Sequence, residues 1–236
     1  ASERAASAIG RFARHRRRYP EPMNDDAIVI EQGLPDAFRD QAVEIFEDAF
    51  GSKMRMAVSD LDKRKAFLRR TFVAEHCLIA RRGETLLGMA GLSTKGAPCD
   101  GGLMGASWDF RPYRDLLGWF GAMWAVWGNR LADHRPEADE VYVDGIAVSA
   151  DARGLGIGTR LLDETTAIAR ANGKAFVRLD VIDTNPRAQA LYERVGYKVI
   201  KVQSFRFKER WVGFGGMISM ELPVPLAAPD KTGPAS

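Results

Sequence analysis

The sequence predicts an α/β fold in which helices flank a central sheet of mixed strand direction. Apolar runs of strand length alternate with segments whose apolar residues recur at helical spacing, which indicates both kinds of element. Residues 77–81 and 85–92 are joined only by Arg82, Gly83 and Glu84, a connection typical of an antiparallel hairpin. Later strands are separated by helices, so the sheet is not expected to be all parallel or all antiparallel.

The first half of the chain is predicted to contain a strand, two helices, the hairpin and a loop. Apolar residues recur at helical spacing from Phe38 to Ala49, and Gly51 is expected to close this first helix. The predicted elements are a strand at 27–31, helices at 35–50 and 60–72, the hairpin strands at 77–81 and 85–92, and a Gly- and Pro-bearing loop at 94–112.

The second half is predicted to alternate helices and strands. Asn172 and Gly173 are expected to end the helix that precedes them, since glycine commonly follows the last helical residue. Pro223 and the prolines after it are expected to prevent further strand pairing. The predicted helices are 113–131, 155–171 and 186–195, and the predicted strands are 141–148, 176–181, 197–202 and 217–222.

The charge distribution separates two tails from one folded domain. Residues 1–22 contain six arginines against Glu3 and Glu21, and removing this surplus of four from the formal net charge of +3 leaves −1. The basic character therefore belongs to a disordered extension, and the folded part is not expected to bind nucleic acid. A single domain is predicted at 23–222, followed by a disordered Pro-rich tail at 223–236.

Cysteine usage and hydropathy exclude several classes of protein. Cys77 and Cys99 are too few for a structural zinc site, so no metal is predicted and a reducing, cytoplasmic setting is expected. The apolar residues near the start are scattered among arginines, unlike a signal peptide. The longest apolar run, 116–128, has 13 residues, fewer than the roughly 20 that cross a bilayer, so no membrane partner is expected.

A glycine-rich turn connects the strand at 141–148 to the following helix. Gly154, Gly156 and Gly158 are expected to permit positive φ and a close approach to a ligand, while the first helical N–H groups bind an anion. The helix dipole favours a phosphate there, and Arg153 can add a charge-assisted contact. The segment therefore predicts a phosphate-bearing ligand.

Two other glycine motifs fit this turn less well. A Walker A loop is excluded because no lysine precedes Thr159. The dinucleotide fingerprint fails by spacing, although Asp180, 22 residues beyond Gly158, imitates the acid that binds a ribose. A dinucleotide domain also needs more strand–helix units than the remaining chain offers.

A second motif lies at residues 185–197. Asn185 followed by Pro186 indicates a helix N-cap and first helical residue. Tyr192 is seven residues after Asn185, which places both with Ala188 on one stripe of the helix, about 10 Å long. Such a stripe can face one extended ligand.

Both motifs resemble those of one family, the GNAT superfamily of N-acetyltransferases. Residues 146–162, centred on Arg153-x-x-Gly156-x-Gly158, resemble its acetyl-CoA motif, and residues 185–197 are similar to its Asn-x-x-Ala-x-x-Leu-Tyr-x-x-x-Gly-Phe/Tyr signature. The resemblance implies the GNAT fold with a mostly antiparallel sheet, acetyl-CoA as co-substrate, no metal, and transfer of the acetyl group to a primary amine by direct attack. The ligand residues that it implies are Ile146, Ala147, Val148, Arg153, Gly154, Leu155, Gly156, Ile157, Gly158, Thr159, Asn185, Ala188 and Tyr192.

The resemblance also implies catalytic roles. Tyr192 would protonate the leaving thiolate, and the backbone N–H of Val148 would polarise the thioester carbonyl. Asp144 and Glu140 are the candidate bases for the amine, Asp144 slightly ahead, while the alternative is a hydrogen-bonding Asp144 and a solvated Glu140. Tyr192 has an alternative too, as a half-buried aromatic in a non-catalytic acyl-CoA-binding regulator.

The acceptor is left open by the sequence. Residues 94–139 carry aromatic side chains that can line a pocket, form a homodimer surface or belong to the core. Nothing in the sequence distinguishes a small-molecule amine from a protein amine.

Overall fold

The computed structural model describes residues 27–55, 58–95, 136–204 and 215–225, together with residues 114, 115 and 118. In these ranges seven strands and four α-helices follow one another, with short 3-10 turns at Asp36–Phe38, Ala74–His76 and Ala150–Ala152. The elements are β1 (Ile28–Gln32), α1 (Arg39–Met54), α2 (Leu61–Thr71), β2 (Cys77–Arg82), β3 (Thr85–Ser93), β4 (Glu140–Val148), α3 (Ile157–Ala171), β5 (Phe176–Ile182), α4 (Pro186–Val195), β6 (Lys198–Ser204) and β7 (Gly216–Pro223).

The strands form one sheet in the order β1-β2-β3-β4-β5-β7-β6. β4 and β5 pair in parallel, and the other neighbouring strands pair antiparallel. The predicted α/β fold with a mixed, mostly antiparallel sheet is therefore confirmed. The insertion of β7 between β5 and β6 brings the last strand into the interior of the sheet.

Helices cover both faces of this sheet, and each face has its own apolar core. On one face α1 and α2 pack on β2 and β3 through Phe46, Leu68, Ile79 and Met89. On the other face the core is larger and combines α3 and α4 with side chains from β2 to β5 and β7. Strands covered on both faces have continuous runs of buried residues, since successive side chains point to opposite faces. β2 is an example, because all of its residues Cys77–Ala80 are buried.

Most predicted elements are found within one or two residues of their expected bounds, and α4 begins and ends as predicted. The expected end of α1 at Gly51 is wrong, since the helix continues to Met54. A Cβ at position 51 would lie 2.2 Å from Oε1 of Glu47. The absence of a Cβ leaves room for the Glu47 carboxylate, and Gly51 does not terminate the helix.

Two further boundaries differ from prediction for local reasons. The helix expected at 155–171 begins at Ile157, because Gly156 takes positive φ as its N-cap. Pro223 was expected to stop strand pairing, but it forms the end of β7, and the next residue, Val224, donates its N–H to the carbonyl of Ala175 at 2.7 Å. A proline in this last position need not supply a ladder donor.

The predicted disordered extension at 1–22, most of the tail at 223–236, and nearly all of the loop at 94–112 and the helix at 113–131 lie outside the described residues. Where the chain is described, no helix is both long enough and apolar enough to cross a membrane.

Candidate active site

β4 and β5 separate in the middle of the sheet. They pair from Glu140–Phe176 to Val143–Leu179 and no further in the described residues. β4 nevertheless stays paired with β3 as far as Val148, and β5 stays paired with β7 as far as Ile182. One edge of the second half of β4 is thereby left facing a gap between the two strands, which we call the fork.

A β-bulge in β4 marks the start of the fork. Gly91 pairs with Gly145 and Leu92 with Val143, so Asp144 is an extra residue without an opposite residue on β3. Bulges bend a strand and redirect side chains next to functional sites. The bulge therefore explains how β4 leaves β5 while keeping its pairing with β3.

The backbone N–H of Val148 faces the fork. Ser149 donates its N–H to Leu87 of β3 at 2.9 Å, and successive N–H groups of a strand point to opposite sides. The Val148 N–H consequently points away from β3, towards the side that β5 has left. The two strands have thus already separated where Val148 lies.

The glycine turn after β4 has the conformation that the sequence predicts at two of its three glycines. Gly154 and Gly156 have φ of 86° and 75°, and a Cβ at either position would meet no other atom within 4 Å. Among the described residues no side chain caps the N-terminus of α3, so its first N–H groups have no side-chain acceptor there. This is a suitable cradle for an anion.

Gly158 does not have the conformation that the sequence predicts. It lies inside α3, is buried, and does not have positive φ. A Cβ there would approach Cδ2 of Leu191 on α4 to 2.9 Å. Gly158 therefore allows α3 and α4 to pack closely, and it does not shape the turn.

The other residues of the predicted cradle are distributed between core and surface. Ala147 and Ile157 are buried, and Leu155 is 47% exposed beside the turn. Ile146 and Val148 are partly buried against the same core as Ala188 and Tyr192 of α4. The structure thus brings the two sequence motifs to the same face of the sheet.

Arg153 is engaged by a residue that the sequence did not suggest. Its guanidinium Nη2 pairs with Oδ2 of Asp48 on α1, and both side chains are more than half exposed. An exposed ion pair of this kind contributes only about 0–1 kcal/mol to the free energy of folding. Arg153 can therefore leave Asp48 and pair with a phosphate at little cost in stability.

The second motif forms α4 as expected. Oδ1 of Asn185 accepts the N–H of Ala188 at 3.2 Å, Pro186 is the first helical residue, and Gly196 ends the helix with φ of 109°. The predicted N-cap is confirmed. Tyr192 is 8% exposed, and burial raises its pKa to about 12.

Glu140 is a buried ion-pair partner. It is fully buried, its Oε2 accepts Nη1 of Arg178 at 2.5 Å, and its Oε1 accepts the N–H of Glu137 at 2.9 Å. Arg178 also donates to Glu221 on β7 at 2.6 Å. The alternative of a solvated Glu140 is therefore wrong.

Asp144 is exposed at the bulge, where its Oδ1 accepts the hydroxyl of Ser93 at 3.3 Å. The two candidate bases thus differ in access, since Asp144 is exposed to solvent and Glu140 is buried in its ion pair.

The sequence reasoning missed Tyr142, which lies at the base of the fork. Its hydroxyl donates to Oδ2 of Asp180 on β5 at 2.9 Å. Burial, together with Asp180, Asp144 and Glu140, raises the pKa of Tyr142 above its usual range. The signal that could have found it is the strand period of two, which places positions 140, 142 and 144 in line.

Comparison with known proteins identifies the family. Residues 39–197 match the acetyltransferase (GNAT) family. Two curated relatives are thialysine N-epsilon-acetyltransferases: the protein from Bos taurus is 36% identical over 56 residues, which cover 24% of this chain and 33% of that protein. The protein from Mus musculus is 34% identical over 74 residues, covering 31% of this chain and 41% of the relative. The matched part therefore spans between about a third and two fifths of these relatives.

Solved structures share the fold at low identity. A GCN5-related N-acetyltransferase from Kribbella flavida has a TM-score of 0.55 and 19% identity, covering 84% of this chain and 98% of that chain. The protein yncA from Salmonella typhimurium, solved with its cofactor acetyl-CoA, has a TM-score of 0.52 and 18% identity, covering 87% and 99% respectively. The family match covers more than half of the residues of this chain, and the chain therefore belongs to the acetyltransferase (GNAT) family.

Proposed function

We propose that this chain transfers an acetyl group from acetyl-CoA to a primary amine by direct attack. The observation that carries the proposal is the fork between β4 and β5: the uncapped N-terminus of α3 follows β4, and Tyr192 belongs to the core against which Val148 packs. Family membership supports the same reaction.

The chain's residues fit the donor. The pyrophosphate would bind the free N–H groups of α3, with Gly154 and Gly156 leaving open space above the backbone. Arg153 would leave Asp48 and pair with a phosphate. The pantetheine arm would follow the edge of β4 that β5 leaves after Val143, where its amide groups could take part in hydrogen bonds as a strand would.

The transfer step would use one backbone group and one side chain. The amine nitrogen attacks the thioester carbonyl carbon while the Val148 N–H stabilises charge on the carbonyl oxygen. The C–N bond forms, the C–S bond breaks, the sulfur takes the proton of Tyr192, and the nitrogen releases its second proton to solvent, from which Tyr192 is later reprotonated. A phenol whose pKa is about 12 keeps that proton at neutral pH and therefore has one to donate.

Asp144 is the proposed base, directly or through water. The amine arrives protonated and must lose a proton before it attacks. Asp144 is exposed at the start of the fork, whereas both oxygens of Glu140 are engaged by Arg178 and the Glu137 N–H. We therefore assign Glu140 a structural role in place of the catalytic one considered from sequence.

For the acceptor we propose an aliphatic primary amine, with thialysine as the first to be tested. The curated relatives are named for that substrate. Asp144 and Asp180 add negative charge at the base of the fork, which favours a cationic amine. A protein amine, a homodimer and a cytoplasmic location stay predictions from the sequence.

The test is an amine-panel assay that detects the CoA thiol. Thialysine, lysine, linear polyamines and peptides with free N-termini are each mixed with acetyl-CoA and the purified chain, with Tyr192→Phe as the matched control. We expect thiol release with at least one aliphatic amine and a large fall in kcat for the variant.

The other outcomes are equally informative. Binding of acetyl-CoA without turnover on any amine, or full activity of Tyr192→Phe, would favour the non-catalytic acyl-CoA-binding regulator. Absence of any thermal stabilisation by millimolar acetyl-CoA would refute the donor assignment itself.

A further inference from the structure

Gly145 leaves an open space on β4 beside the proposed base. It directly follows the bulge residue Asp144, and a Cβ built on it would lie 3.4 Å from Cζ and 3.7 Å from Cε2 of Phe50 on α1. These are ordinary contact distances, so the gap between the strand and the ring, which we call the slot, holds one methyl-sized group. Among the described residues other than the two chain neighbours of Gly145, only Phe50 has an atom within 4 Å of that position.

The ring that covers the slot is held in place by packing. The Phe50 ring centroid lies 4.6 Å from that of Phe46, and Phe50 packs against the core under α1. In the same part of α1, Glu47 pairs at 2.6 Å with Arg64 of α2, which is only 5% exposed. This pair joins the end of α1 to α2, so the width of the slot is set by the packing of the two helices on the sheet.

The slot lies on the face of the sheet opposite to the donor helices. Ala147, two residues after Gly145, belongs to the core under α1, whereas Val148 packs against the core that includes α3 and α4. Gly145 and Phe50 are partly exposed and Asp144 is exposed, so a solute can reach this point. An amine that gives its proton to Asp144 would therefore place its first carbon atom at the slot.

We propose that the slot is a specificity element of the acceptor site, which admits the methylene group beside the nitrogen of an unbranched primary amine and excludes amines with a second carbon substituent there. This inference rests on the proposed function. It assigns Phe50 and Gly145 as specificity-determining residues. It favours amines at the end of an aliphatic chain, such as the side-chain amine of lysine, over the α-amino groups of chiral amino acids.

The size of the slot is the physical reason for this selection. A methylene group fits a space that holds one methyl-sized group, whereas a branched carbon would require the Phe50 ring to move from its packed position. Recognition of one additional carbon group in an apolar pocket changes kcat/KM by about 10-fold to 200-fold.

The first test compares the best linear amine of the panel with its derivative that carries one methyl group on the carbon beside the nitrogen. For the parent chain, kcat/KM should be about 10-fold to 200-fold higher with the linear amine. Phe50→Ala opens the slot and should reduce this ratio to below about three-fold. The ratio does not depend on the fraction of folded protein, because both amines are measured with the same preparation.

Phe72→Ala is the matched control for Phe50→Ala. It truncates a ring in the same core, and the Phe72 ring lies 5.4 Å from that of Phe46. This variant should lose stability but keep the amine selectivity of the parent chain.

Gly145→Ala is the complementary test, since its methyl group fills the slot. Gly145 does not have positive φ, so alanine is compatible with this backbone. We expect kcat/KM for the linear amine to fall about 10-fold to 200-fold, while the dissociation constant of acetyl-CoA changes less than about two-fold. Adding Phe50→Ala to this variant should restore most of the lost kcat/KM.

A selectivity ratio below about three-fold for the parent chain, or unchanged kinetics of Gly145→Ala, would overturn the inference and leave the proposed function intact. An equal loss of selectivity in Phe72→Ala, or a parallel loss of acetyl-CoA affinity in Gly145→Ala, would also overturn it, because the substitutions would then act through the fold. No thiol release by the parent chain with any amine would remove the proposed function and this inference with it.

Discussion

The hydroxyl of Tyr142 on β4 donates a hydrogen bond of 2.9 Å to Asp180 on β5. Asp180 directly follows Leu179, the last residue of β5 that pairs with β4. The contact ties the two strands together where they begin to separate. It also assigns Asp180 a role within the sheet, in place of the ribose contact that its sequence position imitates.

Replacement of Tyr142 by phenylalanine should therefore weaken the base of the fork. The variant loses a hydrogen bond to a charged group and leaves Asp180 half-buried, so the free energy of unfolding should fall by about 1.5–3 kcal/mol. Urea unfolding at pH 7 measures this change. In an Asp180→Asn background the loss should shrink, and an equal loss in both backgrounds would contradict the assigned contact.

Substitution at Gly156 tests whether this residue contributes to acetyl-CoA binding beyond the backbone strain that any such substitution causes. Gly156→Val forces a branched residue into positive φ and should raise the acetyl-CoA dissociation constant at least about 10-fold. The matched control is Gly173→Val, which imposes similar strain at φ of 66° in the turn after α3. Both variants should lose similar stability, and equal affinity for acetyl-CoA in both would argue against the cradle.

The two candidate bases should respond differently to amide substitution. Glu140→Gln removes the buried charge that pairs with Arg178 and should lower the free energy of unfolding by about 2 kcal/mol, with a modest effect on kcat. Asp144→Asn should leave stability within about 0.5 kcal/mol, because the residue is exposed, and should lower kcat. Denaturant unfolding curves and kcat are measured for both variants. A large fall in kcat for Glu140→Gln with unchanged kcat for Asp144→Asn would assign the role of base to Glu140.

Arg153 and Asp48 should have opposite effects on donor binding. Arg153→Ala removes a contact to phosphate and should weaken acetyl-CoA binding about 5-fold to 10-fold, more at low salt than at high salt. Asp48→Ala frees Arg153 and should leave affinity unchanged or raise it. Calorimetric titration at two salt concentrations tests both, and weaker binding by Asp48→Ala would show that the exposed pair itself supports the site.

Burial of Tyr192 predicts a loss of stability in alkali. The unfolded phenol ionises near pH 10, whereas the folded phenol keeps its proton until about pH 12, so the folded state binds more protons in this window. The free energy of unfolding should therefore fall as pH rises from about 10 towards 12, by roughly 2–3 kcal/mol for this residue alone. Tyr192→Phe should show a shallower decline, and parallel curves would contradict the burial effect.

Local features of the chain could be predicted because neighbouring residues determine them. The hairpin at Gly83, the N-cap at Asn185 and the positive φ of Gly156 depend on residues a few positions away. Gly51 and Gly158 show the limit of such reasoning. Each was assigned a local role, yet each accommodates a side chain, Glu47 or Leu191, whose position is set by packing between helices.

The sequence by itself determined the glycine turn before α3, the helix with Tyr192 and the alternation of strands and helices, because these follow from turn chemistry, caps and apolar spacing. Only the tertiary structure decided that β5 lies beside β4, that the two strands part after Val143, and that Arg153 pairs with Asp48, 105 residues away in the chain. Contacts at such separations depend on how whole elements pack, and many residues compensate for one another in that packing. The pattern of any one segment therefore does not encode them.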